Sequence, residues 1–375
     1  MSSVYEQVSE FAKQYVEPHT VRVDANGEFP KEAYAALKEQ GYMGLVVPST
    51  YGGKEKTIYE HAEACMALAR KCATTGLCYM MHNVATMCIV AFGGEDQKTK
   101  YLPKIAKGEI ALALAFSETG TGTHFYNPEI SVKKVDGGYI LNGKKSFVTS
   151  ALNADYYMLL TANPCGEGLD VFMVHKDAKG VRHEKEAWDG LGMRGNASMP
   201  VYFDDVLVGE DALVGNHGDG APIVFNVVAP FFVLGLAAVY SGLGLASADT
   251  AIEYSASRSY SGGARLCEIE TVQHHIAKMY TLSRSSESFT MSAAKAAMEG
   301  SEDALAKIIS SRVCASQNTL DVCSIAMKVG GGHAYAKRLP LERFLRDAYA
   351  AAVMAPSTDV LSVWLGKALT GQQIP

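Results

Sequence analysis

The chain has 375 residues, 48% of them hydrophobic and 20% charged, with a formal net charge of −6. That balance is ordinary for a globular protein, and its interspersed signs argue against non-specific nucleic-acid binding while leaving small-molecule chemistry open. The eight cysteines form no CxxC pair and no ligand-spaced cluster with histidine, so reduced structural thiols and no metal site are expected.

The first third reads as helix after helix. VYEQVSEFAKQYV (4–16), PKEAYAALKEQGYMGL (30–45) and IYEHAEACMALARKCA (58–73) carry apolar residues at three- and four-residue spacing. PSTYGGKEKT (48–57) is a loop by its Pro and Gly content, and EDQKTKYLPKIAKGE (95–109) is a charged helix that stops at Lys107-Gly108. The N-terminus has neither a basic stretch nor an apolar core of signal-peptide length, so a cytoplasmic protein is expected.

At about residue 111 the period changes. ALALAF, EISVKKV, GGYILNGKKSFVTS, YYMLLTA, LDVFMVHK, GVRHEK and PVYFDDVLV are short β-branched or aromatic runs separated by turn residues, with VDGG (135–138) a hairpin turn. From 221 the helical period returns. APIVFNVVAPFFVLGLAAVYSGLGLA (221–246) has the length of a membrane span. Asn226 and Pro230 interrupt it and no basic flank orients it, so a buried bundle helix is expected instead. After the loop SYSGGAR come two long amphipathic helices, and then RDAYAAAVMAPSTDVL (346–361), in which Pro356 breaks an alanine-rich helix at Ala355. The order predicts three units: an N-terminal helical domain (1–110), a middle β domain (111–220) and a C-terminal helix bundle (221–375), with no internal repeat.

Four segments together resemble the acyl-CoA dehydrogenase family, in one order and essentially end to end. They are LAFSETGTGTHF (114–125), GYILNGKKSFVTSALNADYYMLL (138–160), GLGMRGNASMPVYFDDVLVGEDALVG (190–215) and VGGGHAYAKRLPLERFLRDA (329–348). The resemblance implies an α+β multidomain fold: an N-terminal α-helical domain, a small central β-barrel or sandwich and a C-terminal four-helix bundle. FAD would lie between the β domain and the bundle, with a neighbouring subunit completing the site in a homodimer or homotetramer.

Residue by residue, Phe116, Ser117 and Thr123 match the loop along flavin and substrate. Phe147 and Thr149 match the aromatic residue packed on the flavin ring and the hydroxyl near its reactive edge. Arg258 matches an arginine reaching FAD phosphates across the subunit interface, as a guanidinium fork suits a diphosphate. Gly330, Gly331 and Gly332 match glycines near the adenosine part, and Lys328, Ser357 and Asp359 also fall on the cofactor side. Met80, His82, Thr123, Phe232, Val233, Met354 and Ala355 match the substrate pocket; His82 would either line it or pack beneath it.

The departures are informative. The family's catalytic carboxylate, which takes the proton beside the thioester carbonyl, falls on Ala355. The alternative base position on the long helix is Phe232, and the arginine of the CoA-ester pocket is Val233. The flavin-contacting Gln becomes Lys328 and a second one Glu270, and the Asp after the Gly-rich loop becomes His124. Two groups could replace the base. Asp359 lies one helical turn beyond Ala355, where it could equally be a capping or first-turn carboxylate, and His124 has the right ordinary pKa for acid–base work but could be a plain loop residue.

Three functions follow from the resemblance. The first is oxidation of an acyl-CoA or carrier-bound thioester with a relocated base, or elimination of a group such as a sulfinate, with an electron-transferring flavoprotein as acceptor. The second is a flavin monooxygenase or oxidase on a small non-CoA substrate, with O2 as acceptor. The third is a non-catalytic FAD-binding partner subunit.

Overall fold

The computed structural model describes residues 2–184 and 188–374. Helix α1 (Val4–Tyr15) opens with a capping box in which Ser3 Oγ accepts from the Glu6 N–H and the Glu6 carboxylate accepts from the Ser3 N–H. Val4, Val8, Phe11 and Ala12 form its buried stripe. α2 (Thr20–Asn26), α3 (Lys31–Glu39), α4 (Ile58–Ala69), α5 (Ala73–Phe92) and α6 (Glu95–Ala106) follow. α6 ends as the sequence indicates, with Lys107 at its cap and Gly108 at φ +73°.

Strands β1 (Leu112–Ala115), β2 (Ser131–Val135), β3 (Gly138–Val148), β4 (Tyr156–Ala162), β5 (Leu169–His175), β6 (Val181–His183) and β7 (Met199–Gly209) form two sheets. Their orders are β1-β4-β5 and β2-β3-β7-β6, and only the β1–β4 pair is parallel. Leu141, Tyr157, Leu159, Phe172, Val201 and Phe203 fill the space between the sheets. The resulting middle unit is a small sandwich.

The C-terminal bundle starts with one long helix of changing pitch. It begins as α7 (Gly220–Pro222), passes through a π-helical stretch (Ile223–Val228) and continues as α8 (Ala229–Ser257). α9 (Glu270–Glu299), α10 (Ala304–Tyr335), α11 (Leu341–Val353) and α12 (Thr358–Leu369) complete the bundle. α8 is apolar all round because α4, α9 and α10 enclose it. Gly242 allows the approach of α4, since a Cβ there would meet the Met66 carbonyl oxygen at 2.4 Å.

The three units are pinned at one junction. Arg346 on α11 makes a bidentate pair with Asp24 on α2, at 2.9 and 2.6 Å, and also donates to the Leu191 carbonyl. Arg194 donates to the Asp24 carbonyl at 2.9 Å, and the Met193 N–H donates to Asp347 at 2.6 Å. The GMRG and RDA motifs therefore hold each other. Burial pushes the Asp347 carboxyl up to about 7.

Candidate active site

A cavity of about 670 Å³, measured with its open mouth, lies where the end of β1, α5, the start of α8 and the α11–α12 corner meet. Leu114 and Phe116 form one wall, Met81 the floor, and Phe232 and Val233 another wall. Ala355, Pro356 and Trp364 close it from the C-terminal side. Ser117 carries the one hydroxyl among the described lining residues and Trp364 the one indole N–H, and none of them carries an acid, imidazole or amine.

The change of helix pitch shapes this cavity. Pro230 has no N–H to donate to a preceding turn, and just before it the helix widens to i→i−5 bonding, as from Ala229 N–H to the Val224 carbonyl. Phe225 and Val228, both in the widened stretch, reach the cavity. Phe225, Tyr126 and Trp364 form an aromatic cluster at its edge, with Tyr126 5.8 Å from Phe225 and 6.5 Å from Trp364.

Across the mouth, the β3–β7 ladder breaks between Lys145 and Val148, and Phe147 sits in the break at φ +51°. This bulge turns the Phe147 ring outward, 63% exposed and edge-on to Trp188 at 6.1 Å. Beside it Thr149 Oγ1 and Ser198 Oγ are 2.9 Å apart, with the Ser150 N–H bonded to the Asn196 carbonyl. Ser150 Oγ and Trp188 Nε1 are buried without a hydrogen-bond partner. The result is an aromatic shelf with polar groups at its edge.

A buried ion pair supports the Ser117 loop. Lys145 Nζ donates to Glu118 Oε1 at 2.5 Å, to the Leu160 carbonyl at 2.6 Å and to the Phe116 carbonyl at 3.2 Å. Glu118 also accepts from the N–H groups of Glu129 and Ile130. Burial lowers the Lys145 ammonium to about 8 against the opposing pull of Glu118. With every donor used, the pair anchors both ends of the loop that carries Ser117 and Phe125 over the cavity.

Of the residues singled out in the sequence, Phe116, Ser117, Phe147, Phe232, Val233 and Ala355 come together around this cavity. Met81 rather than Met80 faces it, because Met80 is turned toward Gly235 on α8. His82 is fully engaged elsewhere: Nε2 donates to the Met43 carbonyl at 2.9 Å and Nδ1 accepts from the Leu112 N–H at 3.1 Å. Burial lowers it to about 4, so it is a neutral tie between α5 and β1 and not a pocket group.

Neither proposed replacement base lines the cavity. His124 is exposed and bonded through Nδ1 to the Tyr126 hydroxyl at 2.8 Å. Asp359 is exposed in the first turn of α12, whose cap is Ser357, which accepts from the Val360 N–H. Thr123 is half-buried in the loop, and Met354 lies under the Tyr240 hydroxyl with Sδ at 4.0 Å. Arg258 caps the far end of α8 with its guanidinium over the Tyr260 ring, and one turn earlier Tyr254 meets the His333 ring, next in sequence to Gly331 and Gly332, at 5.6 Å. Lys328 is exposed on α10 one turn away.

Sequence reasoning missed Trp364, Phe225, Phe125 and Trp188. Phe225 and Trp364 sit on helices whose apolar pattern reads as core, while Phe125 and Trp188 lie in loops with no periodic pattern, and only the assembled fold brings them to the cavity and its shelf. A larger cleft, about 2180 Å³ with its mouth, runs between α1, α2, α4 and the 337–344 segment. Its walls mix Glu6, Lys13, Arg70, Glu253 and Arg343, the mark of a solvated seam, and it holds none of the shelf residues.

Three family models match in chain order: acyl-CoA dehydrogenase N-terminal domain over residues 2–109, middle domain over 113–206 and C-terminal domain over 234–369. The mitochondrial isovaleryl-CoA dehydrogenase of Oryza sativa subsp. japonica is 30% identical over 97% of this chain and 90% of its own. Among solved structures, butyryl-CoA dehydrogenase from Megasphaera elsdenii aligns with a TM-score of 0.92 at 24% identity, covering 99% of each chain. The prolyl acyl carrier protein oxidase AnaB aligns at 0.89 with 25% identity, covering 98% of this chain and 97% of its own.

Proposed function

The chain belongs to the acyl-CoA dehydrogenase family of FAD-dependent oxidoreductases, and we propose that it oxidises an acyl thioester without a carboxylate base in its cavity. The observation that carries this reading is Ala355 at the corner of a cavity with no ionisable lining residue. The shelf fits the cofactor: an exposed Phe147 ring beside Trp188 suits a flat ring system, and the adjacent Thr149 hydroxyl, paired with Ser198, and the unpartnered Trp188 Nε1 suit its polar atoms. When bound there, FAD supplies acceptance of an electron pair from a substrate carbon–hydrogen bond.

The chain's own residues bind and orient. Phe116, Phe232 and Trp364 hold the acyl group and exclude water, and Ser117 offers the one hydroxyl within the cavity. A proton released inside finds no carboxylate or imidazole, and a positioned base is worth roughly 10²–10⁴ in rate. The cavity therefore suits substrates that need none from the protein. These are thioesters whose β-carbon–sulfur bond to a sulfinate breaks with a proton added at carbon, so that no α proton is removed, or those with a heteroatom lone pair next to the oxidised carbon, a class into which the prolyl substrate named for AnaB falls.

Anaerobic titration of the FAD-loaded protein tests this. Bleaching of flavin absorbance by an α-amino-acyl thioester, or sulfite release from a β-sulfino-acyl thioester with the flavin left oxidised, is the expected result, with saturated straight-chain acyl-CoA inert. Fast bleaching by saturated acyl-CoA would overturn the base-free reading. Silence toward all thioesters, with rapid O2 consumption on a small free substrate, would transfer the protein to the oxygenase class.

A further inference from the structure

A second constellation lies on the β domain, outside the lining of the cavity. Loop 163–168 joins β4 to β5, and loop 215–219 precedes α7. The two loops meet at a pair of glycines: a Cβ on Gly168, which has φ +96°, would lie 3.6 Å from Gly218 Cα. Asn163 shapes the first loop by accepting from the Cys165 N–H at 2.8 Å and donating to the Glu167 carbonyl at 3.0 Å.

Asp170 on β5 has a fully buried carboxylate. It accepts from the Gly218 N–H at 2.7 Å and from His217 Nδ1 at 2.6 Å. The imidazole is thereby held with its proton on Nδ1, leaving Nε2 as the acceptor. Nε2 lies 3.5 Å from Cys165 Sγ and 3.0 Å from the Tyr139 hydroxyl. Cys165 is exposed, Cys267 and Cys314 are half-buried, and the other five cysteines are buried. Burial pushes the thiols of Cys78, Cys88 and Cys323 up to about 12. All eight cysteines are free thiols, and Cys165 is the one that is exposed.

We propose that Cys165, His217 and Asp170 form an activated-thiol site that reacts with hydroperoxides. The parts are a nucleophile, a base within reach and a buried group that orients the base. Cys165 is exposed and lines neither cavity described above, so a small diffusible reagent reaches it directly. The Sγ proton passes to Nε2, and the thiolate attacks one peroxide oxygen. An S–O bond forms as the O–O bond breaks, and the leaving oxygen takes the proton back from Nε2 and departs as water or alcohol. Sulfur is oxidised to the sulfenic acid and the peroxide is reduced. The imidazolium's return of the proton is what favours a peroxide over an electrophile with no oxygen leaving group.

The test uses the full chain with its cofactor. Substoichiometric hydrogen peroxide with dimedone, followed by peptide mapping, is expected to label Cys165 at least tenfold more than Cys267 or Cys314. His217→Gln is expected to slow that labelling about tenfold while leaving the other cysteines and the flavin content unchanged. Tyr139→Phe keeps the buried ring but removes the competitor for Nε2, so it is expected to speed labelling, which a merely structural Tyr139 would not do. Asp170 is buried and its loss endangers the fold, so the loop residue His217 carries the test. Equal labelling of the three cysteines, indifference to His217→Gln, or slower labelling in Tyr139→Phe would each overturn the proposal.

Discussion

Replacing Ala355 by glutamate puts a carboxylate against Phe232 and Trp364, in a cavity that raises its pKa by desolvation. Pro356 also shapes the corner differently from the family's glutamate segment, and Val233 stands where the resemblance puts the arginine of an ester pocket. Ala355→Glu is therefore expected to gain far less acyl-CoA oxidation than the roughly 10²–10⁴ of a positioned base; steady-state turnover with an electron acceptor measures it. Two other single residues set the pH response. Burial holds His61 and His82 at about 4 in the folded state, below the ordinary value of 6.5. Between pH 6.5 and 4 the unfolded chain binds protons that the folded one refuses. Stability is thus full above 6.5 and falls as pH drops, by about 3 kcal/mol for each histidine once the shift is fully expressed. Urea midpoints from pH 7 to pH 4.5 should fall accordingly, and His82→Gln should flatten part of that slope. A pH-independent midpoint would contradict the assignment.

At the scale of elements, the shelf depends on a bulge and a buried pair. Truncating Lys145 leaves Glu118 charged, buried and without its cation, a change that costs about 3–5 kcal/mol. Lys145→Met is expected to lower the unfolding midpoint and to loosen the 117–130 loop. FAD retention, read from the ratio of flavin to protein absorbance, should fall with it. The double variant Lys145→Met with Glu118→Gln should recover part of the stability, since the orphaned charge is gone. The widened turn before Pro230 works similarly for the opposite wall, because it aims Phe225 into the cavity without breaking α8.

For the whole molecule, distance decides what one chain can do. Phe232 lines the cavity and Arg258 ends the same helix 26 residues on, about 39 Å away at 1.5 Å per residue. If Arg258 holds the diphosphate, as the resemblance implies, it serves a neighbouring chain's shelf. Light scattering should then find at least two chains per particle, and Arg258→Ala should lower FAD retention. Co-expressing Arg258→Ala with Phe147→Ala chains should restore up to one intact site per mixed dimer. A monomer that keeps its FAD in Arg258→Ala would refute the shared site.

Much of this protein was written in local pattern. Helical and strand periods, the Asp136-Gly137 turn, the stop at Gly108 and the Pro356 break each depend on a few neighbouring residues, so the three-unit order needed no tertiary knowledge. Phe116, Ser117, Phe147 and Ala355 were legible because motif spacing carried them. The remainder depended on which face each element turned inward. A single step of 100° on α5 separates Met80 from Met81, and neither period nor composition distinguishes them. The same holds for His82, whose two backbone partners come from different segments, and for Cys165, whose base stands 52 residues along the chain. Such meetings are made by packing, which brings distant residues together, and only the folded chain decides them.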